Sequence, residues 1–439
     1  LSIYRMSNII FFIRSFNDFD QALPLIDYLS SKNMKILVCS FSLELDGCDK
    51  HINYLENEIG IKIIYFSNIL SKPGRVIISL HSRLMFVISK AKRNSYLLLF
   101  SIASSYVLKI LNNLYGSAIG TILKQLNPNK IIMDNGAELS FHGKGIIDFA
   151  RKESIPVICY SHGYSIYSNQ NPLTKDKNNI GFLKSTIIRL ATFTKKRIYA
   201  DCYLTGPKQK DTYFTTPGMS GKYDPTKLYK VHEIGMPRYT YEWCTKYRNM
   251  ILKEESFTYG DSNKLNVVLY MTHPKYSVNL RELYKLIERL SSLNFINFVY
   301  KPHTRTGLEM INKNMLNGFD AGDVNSILLS EWADISVIYG SSISFQLLID
   351  RTPIVIPTFV HSNTTILEDN DVCIKSNSLD ELVNTLVEYS NRNYIDHQND
   401  KTIESFIKEY MYGNKNHDQM MQQYCDSIKN CTKDRNTFN

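Results

Sequence analysis

Short apolar runs alternating with stretches of helical periodicity constrain this chain more than any other feature. Residues 8–13, 35–40 and 61–66 read as buried strands, with a helix over 21–31. Residues 130–133, 156–160 and 202–205 continue the series, with a helix over 145–152. The pattern returns at 266–271, 295–300, 335–339 and 353–357, interleaved with helices over 280–293, 326–332 and 344–350. Residues 380–390 are helical in pattern, and one polar helix is predicted over 402–428. Such runs pair as parallel strands, because parallel neighbours need a helical crossover between them. The expected fold is α/β, with two Rossmann-like domains facing each other across a cleft. The expected division is 1–205, a connection at 206–264 with an inserted segment at 215–230, a second domain at 265–425, and a polar tail at 426–439. A chain of 439 residues, 44% of them hydrophobic, is long and apolar enough to fill two such cores.

Several classes are excluded or disfavoured. The longest apolar run, 96–107, falls short of the ~20 residues of a membrane span and is broken by serines. Residues 8–13 are apolar, but Arg14, Asn17, Asp18 and Asp20 follow without a small-residue cleavage site, so no signal peptide is read. The eight cysteines (Cys39, Cys48, Cys159, Cys202, Cys244, Cys373, Cys425 and Cys431) form no C-x-x-C pair, which suits reduced thiols in a cytoplasmic protein. The formal net charge of +9 fits an anionic substrate or an anionic membrane surface. The cations are dispersed and no nucleic-acid-binding motif is present, so no nucleic-acid partner is expected. Residues 75–126 place Arg75, Arg83, Lys90, Lys92 and Arg93 among apolar side chains. That pattern fits helices packed on a sheet; its competing reading is a basic face resting on the inner surface of a plasma membrane. Residues 169–179 are polar and contain proline, which predicts a mobile loop.

In open parallel sheets, ligands bind beyond the carboxyl ends of the strands. The residues there are chemically capable. His162 and Gly163 follow the strand at 156–160; an imidazole titrates near neutrality and can take a proton from an acceptor hydroxyl. Asp134 and Glu138 follow the preceding strand, where either could orient His162 or bind the acceptor. His273 and Pro274 follow the strand at 266–271, and Lys301, His303 and Arg305 crowd one short loop after 295–300, a natural partner for a diphosphate. Gly340, Ser341 and Ser342 open a helix after the strand at 335–339, where free N–H groups and hydroxyls suit a phosphate. Each has an ordinary structural explanation, such as a helix cap, a solvated turn or a turn histidine; the combination is what points to a nucleotide. No acidic cluster suited to a metal stands near these loops, so the reading requires neither metal nor cofactor, and cations with helix dipoles neutralise the leaving group.

These loops, in this order, resemble the CDP-glycerol glycerophosphotransferase (teichoic-acid polymerase) family and related capsule polysaccharide transferases of GT-B fold. The residues carrying the resemblance are Ser161-His162-Gly163, Gly235-Met236-Pro237-Arg238, Lys301-Pro302-His303, 333–335, Gly340-Ser341-Ser342, 348–357 and Tyr412-Gly413. It covers about residues 130 to 425, and its specificity lies in the ordered set. It implies that His162 is the acceptor-side base, that His303, Ser341 and Ser342 hold the donor diphosphate, and that Lys301 and Arg238 support it electrostatically. Tyr339-Gly340 stands where that family often has Asp-Tyr, and His273-Pro274 with the paired serines is similar to motifs of bacterial CMP-sialic acid transferases. The expected function is therefore a transferase that moves a CMP-, CDP- or UDP-linked sugar or polyol phosphate onto a bacterial surface polysaccharide, the acceptor being a glycan or lipid-linked glycan. Two other readings compete. A non-hydrolysing UDP-sugar 2-epimerase needs acidic groups beside the sugar, and Gln346 stands where Glu is wanted. A non-catalytic polysaccharide-assembly protein would bind nucleotide without transfer.

Overall fold

A computed structural model of the chain describes residues 9–40, 45, 47–77, 118–139, 141–169, 200–210, 225–303, 316–391 and 400–433, with single positions between them. Arg305, most of 75–126, the loop beyond 169, the segment 211–224 and the final residues of the tail lie outside the described residues.

The first sheet contains β1 (Ile9–Ile13), β2 (Ile36–Ser40), β3 (Ile63–Tyr65), β4 (Lys130–Asp134), β5 (Val157–Tyr160), β6 (Cys202–Thr205) and β7 (Val231–Glu233). Its seven strands run in the order β3-β2-β1-β4-β5-β6-β7. The second contains β8 (Leu265–Tyr270), β9 (Ile296–Lys301), β10 (Phe319–Asp320), β11 (Ile335–Ile338), β12 (Ile354–Pro357) and β13 (Ile374–Ser376), in the order β10-β9-β8-β11-β12-β13. Every pairing between these strands is parallel. Strand β1, Ile-Ile-Phe-Phe-Ile, is buried at every position, as a parallel strand covered on both faces must be. The chain thus folds as two Rossmann-like α/β domains, in agreement with the sequence.

Three boundaries differ from expectation. Strand β7 lies inside the stretch read as a connection; its three residues are too few to give a strand signal, and it joins the first sheet beside β6. Helix α1 (Phe16–Ser31) begins a turn before the predicted residue 21, with Ser15 at its N-cap and Asp18 buried in its first turn. The single helix predicted over 402–428 is two helices, because Gly413 and Asn414 adopt positive φ and break it.

Helix formation elsewhere follows local chemistry. Helices α2 (Phe141–Lys152) and α3 (Tyr241–Leu252) belong to the first half and the crossover; α3 starts at Thr240, whose hydroxyl accepts from the Trp243 N–H. Helix α4 (Leu280–Ser292) is capped by Asn279 and buries Leu283, Leu286, Ile287 and Leu290 at helical spacing. Truncating Leu286 to Ala there would cost about 2–5 kcal/mol. Helices α5 (Ser326–Trp332), α6 (Ile343–Ile349) and α7 (Leu379–Ser390) complete the second domain.

The last two helices fasten the halves together. Helix α8 (Asp400–Tyr410) stacks Phe406 against Phe345 of α6. Helix α9 (His417–Asn430) starts with a capping box between Asn416 and Gln419 and returns to the first domain. There the Tyr424 hydroxyl donates to the Gly235 carbonyl at 2.7 Å, and Met420 fills the space a Cβ on Gly235 would need. No helix among the described residues is long and apolar enough to cross a membrane.

Candidate active site

Both sheets reverse their winding direction between two central strands, β1 and β4 in the first and β8 and β11 in the second. At such switch points adjacent crossovers depart to opposite faces and leave a crevice beyond the carboxyl ends. Each crevice here is spanned by a hydrogen bond. Arg14, which follows β1, donates to Asp134 at the end of β4. Thr272, beyond β8, donates through its hydroxyl to the Gly340 carbonyl beyond β11 at 3.0 Å.

The first crevice holds a compact ionic cluster. Arg14 donates through Nε to Asp18 at 2.7 Å and through Nη2 to Asp134 at 2.5 Å. Both carboxylates are fully buried, so the guanidinium is the main compensation for taking two negative charges out of water. His162 Nδ1 lies 2.9 Å from Asp134 and 3.7 Å from Asp18. Burial is the largest influence on Asp134 and raises its pKa to about 6, above the ordinary 3.8; His162 and Arg14 pull it back down, and Asp18 adds to the rise. Asp134 is therefore mainly ionised at pH 7 and accepts from the imidazole N–H. The Tyr160 hydroxyl donates to the Asp18 carbonyl at 2.9 Å, tying the first turn of α1 to β5. Asp18, Asp134 and His162 offer ligand atoms within 4.8 Å of one another, a spacing that could hold a cation, although Arg14 is already ion-paired to both carboxylates.

The second crevice is differently made. Gly340 has φ +68 and precedes Ser341 and Ser342, both half-buried, at the start of α6. His273 and His303 meet edge to face, ring centroids 5.6 Å apart. The Lys275 N–H donates to His273 Nδ1 at 3.0 Å, so the imidazole proton of neutral His273 sits on Nε2. Burial and the Lys275 charge lower the pKa of His273, favouring that neutral form.

One strap joins the crevices. After His162, Tyr164 packs against Phe345 of α6, ring centroids 5.4 Å apart. The Tyr167 hydroxyl donates to the Gly340 carbonyl at 3.3 Å, and its ring stacks on Tyr276 at 5.1 Å. The Ser168 N–H donates to the Thr364 carbonyl at 3.0 Å, and the Ile366 N–H to the Ile166 carbonyl at 2.9 Å. The side chain of Asn169 reaches Asn363 at 2.8 Å. His162 therefore belongs to a segment docked on the second domain.

The structure sorts the residues expected from sequence. It brings His162 and Asp134 together and sets Gly163 beside them, its carbonyl accepting from the Ser161 hydroxyl at 2.6 Å. Glu138 is turned away: it accepts from the Tyr203 hydroxyl at 2.8 Å and contacts the Cys159 thiol, in the core behind the sheet. His273, Gly340, Ser341 and Ser342 follow the two strands that flank the second switch point, and His303, after neighbouring β9, reaches His273. Lys301 is turned into the protein. It is buried, and its ammonium donates to the carbonyls of Gly322 and Val324 at 2.5 and 2.6 Å, pinning the loop after β10. Arg238 is likewise buried; it donates to Asp20 at 2.7 Å and lies over the Tyr247 ring at 4.6 Å. Lys301 and Arg238 are thus each bonded within the protein, and Arg305 lies outside the described residues. Sequence reasoning missed Arg14, Asp18 and Tyr167. The spacing of Ser15 and Asp18, an N-cap followed three residues on by an acid, is the signal that marks the true start of α1.

No protein-family model matches the chain, and no curated protein does. Among solved structures it is similar to the glycotransferase of kitacinnamycin, at 12% identity, covering 98% of this chain and 100% of that one, with a TM-score of 0.50. It is also similar to a UDP co-structure of MnaA from S. aureus, at 11% identity over 97% of this chain and 96% of that one, TM-score 0.47. A UDP-GlcNAc 2-epimerase from Neisseria meningitidis bound to UDP-GlcNAc aligns at 12% identity over 91% and 98%, TM-score 0.45. At these identities the likeness is one of fold, and the fold is of GT-B type.

Proposed function

We propose that the chain is a transferase that moves a nucleotide-activated sugar or polyol phosphate onto a bacterial surface glycan. The observation carrying this reading is the His162–Asp134 pair, held at 2.9 Å at one switch point on a strap that also touches Gly340 at the other. A buried carboxylate accepting from Nδ1–H leaves the basic lone pair of His162 on Nε2 and stabilises the imidazolium that forms on proton uptake. In the proposed step the acceptor oxygen bonds to the activated carbon or phosphorus of the donor. Its proton passes to Nε2, and the bond to the nucleotide oxygen breaks with the electron pair leaving on that oxygen. The Ser341 and Ser342 hydroxyls and the imidazoles of His273 and His303 receive the departing nucleotide. With Lys301 and Arg238 engaged in the fold, neutral donors carry more of this task than the sequence suggested. The fold it has in common with a glycotransferase supports the reading. The donor is CMP-, CDP- or UDP-linked and the acceptor a glycan or lipid-linked glycan.

One observation favours a second reading, a UDP-sugar 2-epimerase. Such chemistry uses carboxyl groups as acid and base beside the sugar, and Gln346, buried and bonded to Asp350 at 3.0 Å, does not supply one. Asp18 and Asp134 do, and Asp134, with a pKa near 6, is suited to proton exchange near neutrality. Incubation with CMP-, CDP- and UDP-linked donors, with and without an oligosaccharide acceptor, separates the two. Nucleotide release that requires acceptor supports transfer. An epimerised UDP-sugar formed without acceptor replaces transfer by the second reading.

A further inference from the structure

Gly340 lacks a side chain for a reason the sequence does not disclose. A Cβ there would collide with the Tyr167 hydroxyl, which lies against the bare face of the glycine and donates to its carbonyl at 3.3 Å. This is the backbone that a donor phosphate would approach. Tyr167 is also close to Thr272, whose hydroxyl donates to the same carbonyl, and its ring covers Tyr276. Beneath it, Tyr339 and His361 are stacked with centroids 5.8 Å apart. The Tyr339 hydroxyl and His361 Nε2 are both buried without a hydrogen-bond partner. Buried polar atoms left unpaired call for an explanation, and a bound water or polar ligand is one.

We infer that Tyr167 and the donor's phosphate compete for the same face of Gly340, so that donor binding lifts the Tyr167 strap and repositions His162. The inference rests on the donor reading of the second crevice. Tyr167 is a positioning residue: it acts on the base through the strap both belong to. Lifting the strap together with the ring opens two anchors, the Ser168 N–H to Thr364 and the Ile366 N–H to Ile166. A competing side chain lowers apparent affinity by the fraction of molecules in which it is docked. Its removal should therefore tighten nucleotide binding by about tenfold if the strap is docked nine-tenths of the time.

The experiment uses the full chain with CMP, CDP and UDP as probes. Calorimetric titration of the wild type, Tyr167→Phe and Tyr167→Ala is paired with hydrogen exchange over residues 164–169 and 364–367. The expected result is faster exchange in both segments on adding the nucleotide that binds. Tyr167→Ala should bind about tenfold more tightly, with Tyr167→Phe intermediate in affinity. Binding by Tyr167→Ala alone also supports competition. Slower exchange with nucleotide, or weaker binding by both variants, overturns the inference and makes Tyr167 a lid that closes on its ligand. No binding of any nucleotide by any of the three proteins overturns the donor reading itself, and the competition with it.

Discussion

The two crevices occupy equivalent places in equivalent sheets, yet they are built from opposite materials. The first is a closed ionic cluster in which Arg14, Asp18, Asp134 and His162 are bonded to one another. The second offers hydroxyls, imidazoles and bare backbone, with Lys275 beside His273, while Lys301 and Arg238 are bonded within the fold. The difference is what a division of labour requires. A group that moves a proton needs a fixed orientation and a tuned environment. A surface that receives and releases a nucleotide gains from donors whose hydrogen bonds are weak enough to exchange.

The comparison can be broken at either side. The largest expected effect is at His162: replacement by Ala should lower acceptor-dependent turnover by about 10²–10⁴-fold, measured as nucleotide release, with nucleotide affinity retained. Loss of binding instead would place His162 in the donor site. Next is Arg238. Arg238→Ala leaves half-buried Asp20 with His51 as its remaining side-chain partner and should cost about 3 kcal/mol in urea unfolding, with donor affinity unchanged in the folded protein. A large fall in nucleotide affinity at unchanged stability would return Arg238 to the diphosphate.

Asp134 gives a pH signature. Its pKa is higher folded than unfolded, so the native state holds its proton more tightly. The resulting stability is complete below pH about 4 and is lost as pH rises through about 6, a change of about 3 kcal/mol. Asp134→Asn should remove that slope from unfolding curves taken across this window. A slope of the opposite sign would mean that Arg14 dominates over burial. The smallest effect is expected for Lys301→Met, which leaves the carbonyls of Gly322 and Val324 without their donor. It should cost about 1–3 kcal/mol in thermal unfolding and leave nucleotide affinity unaltered.

What could be read in the sequence depended on how far apart the interacting residues lie along the chain. The strands were legible because apolar runs such as 9–13 and 335–338 are dictated by burial of the strand itself. Asp134 and His162 were legible because both end such runs. Arg14 was passed over because the polar residues after β1 resemble a loop, although Ser15 and Asp18 begin a helix. The partners of Lys301 and Arg238 were hidden for a different reason. A cation after a strand looks available until its partners are known, and Asp20 lies 218 residues from Arg238. Tyr167 and Gly340 are 173 residues apart, and nothing local marks their contact.

Division of labour between the crevices is tested most directly by titrating CMP, CDP and UDP into the wild type, His162→Ala and the Ser341→Ala/Ser342→Ala pair. The account predicts one preferred nucleotide, an affinity that His162→Ala preserves, and a loss in the serine pair. Binding that survives in the serine pair and disappears in His162→Ala would contradict it, and would move the donor to the first crevice.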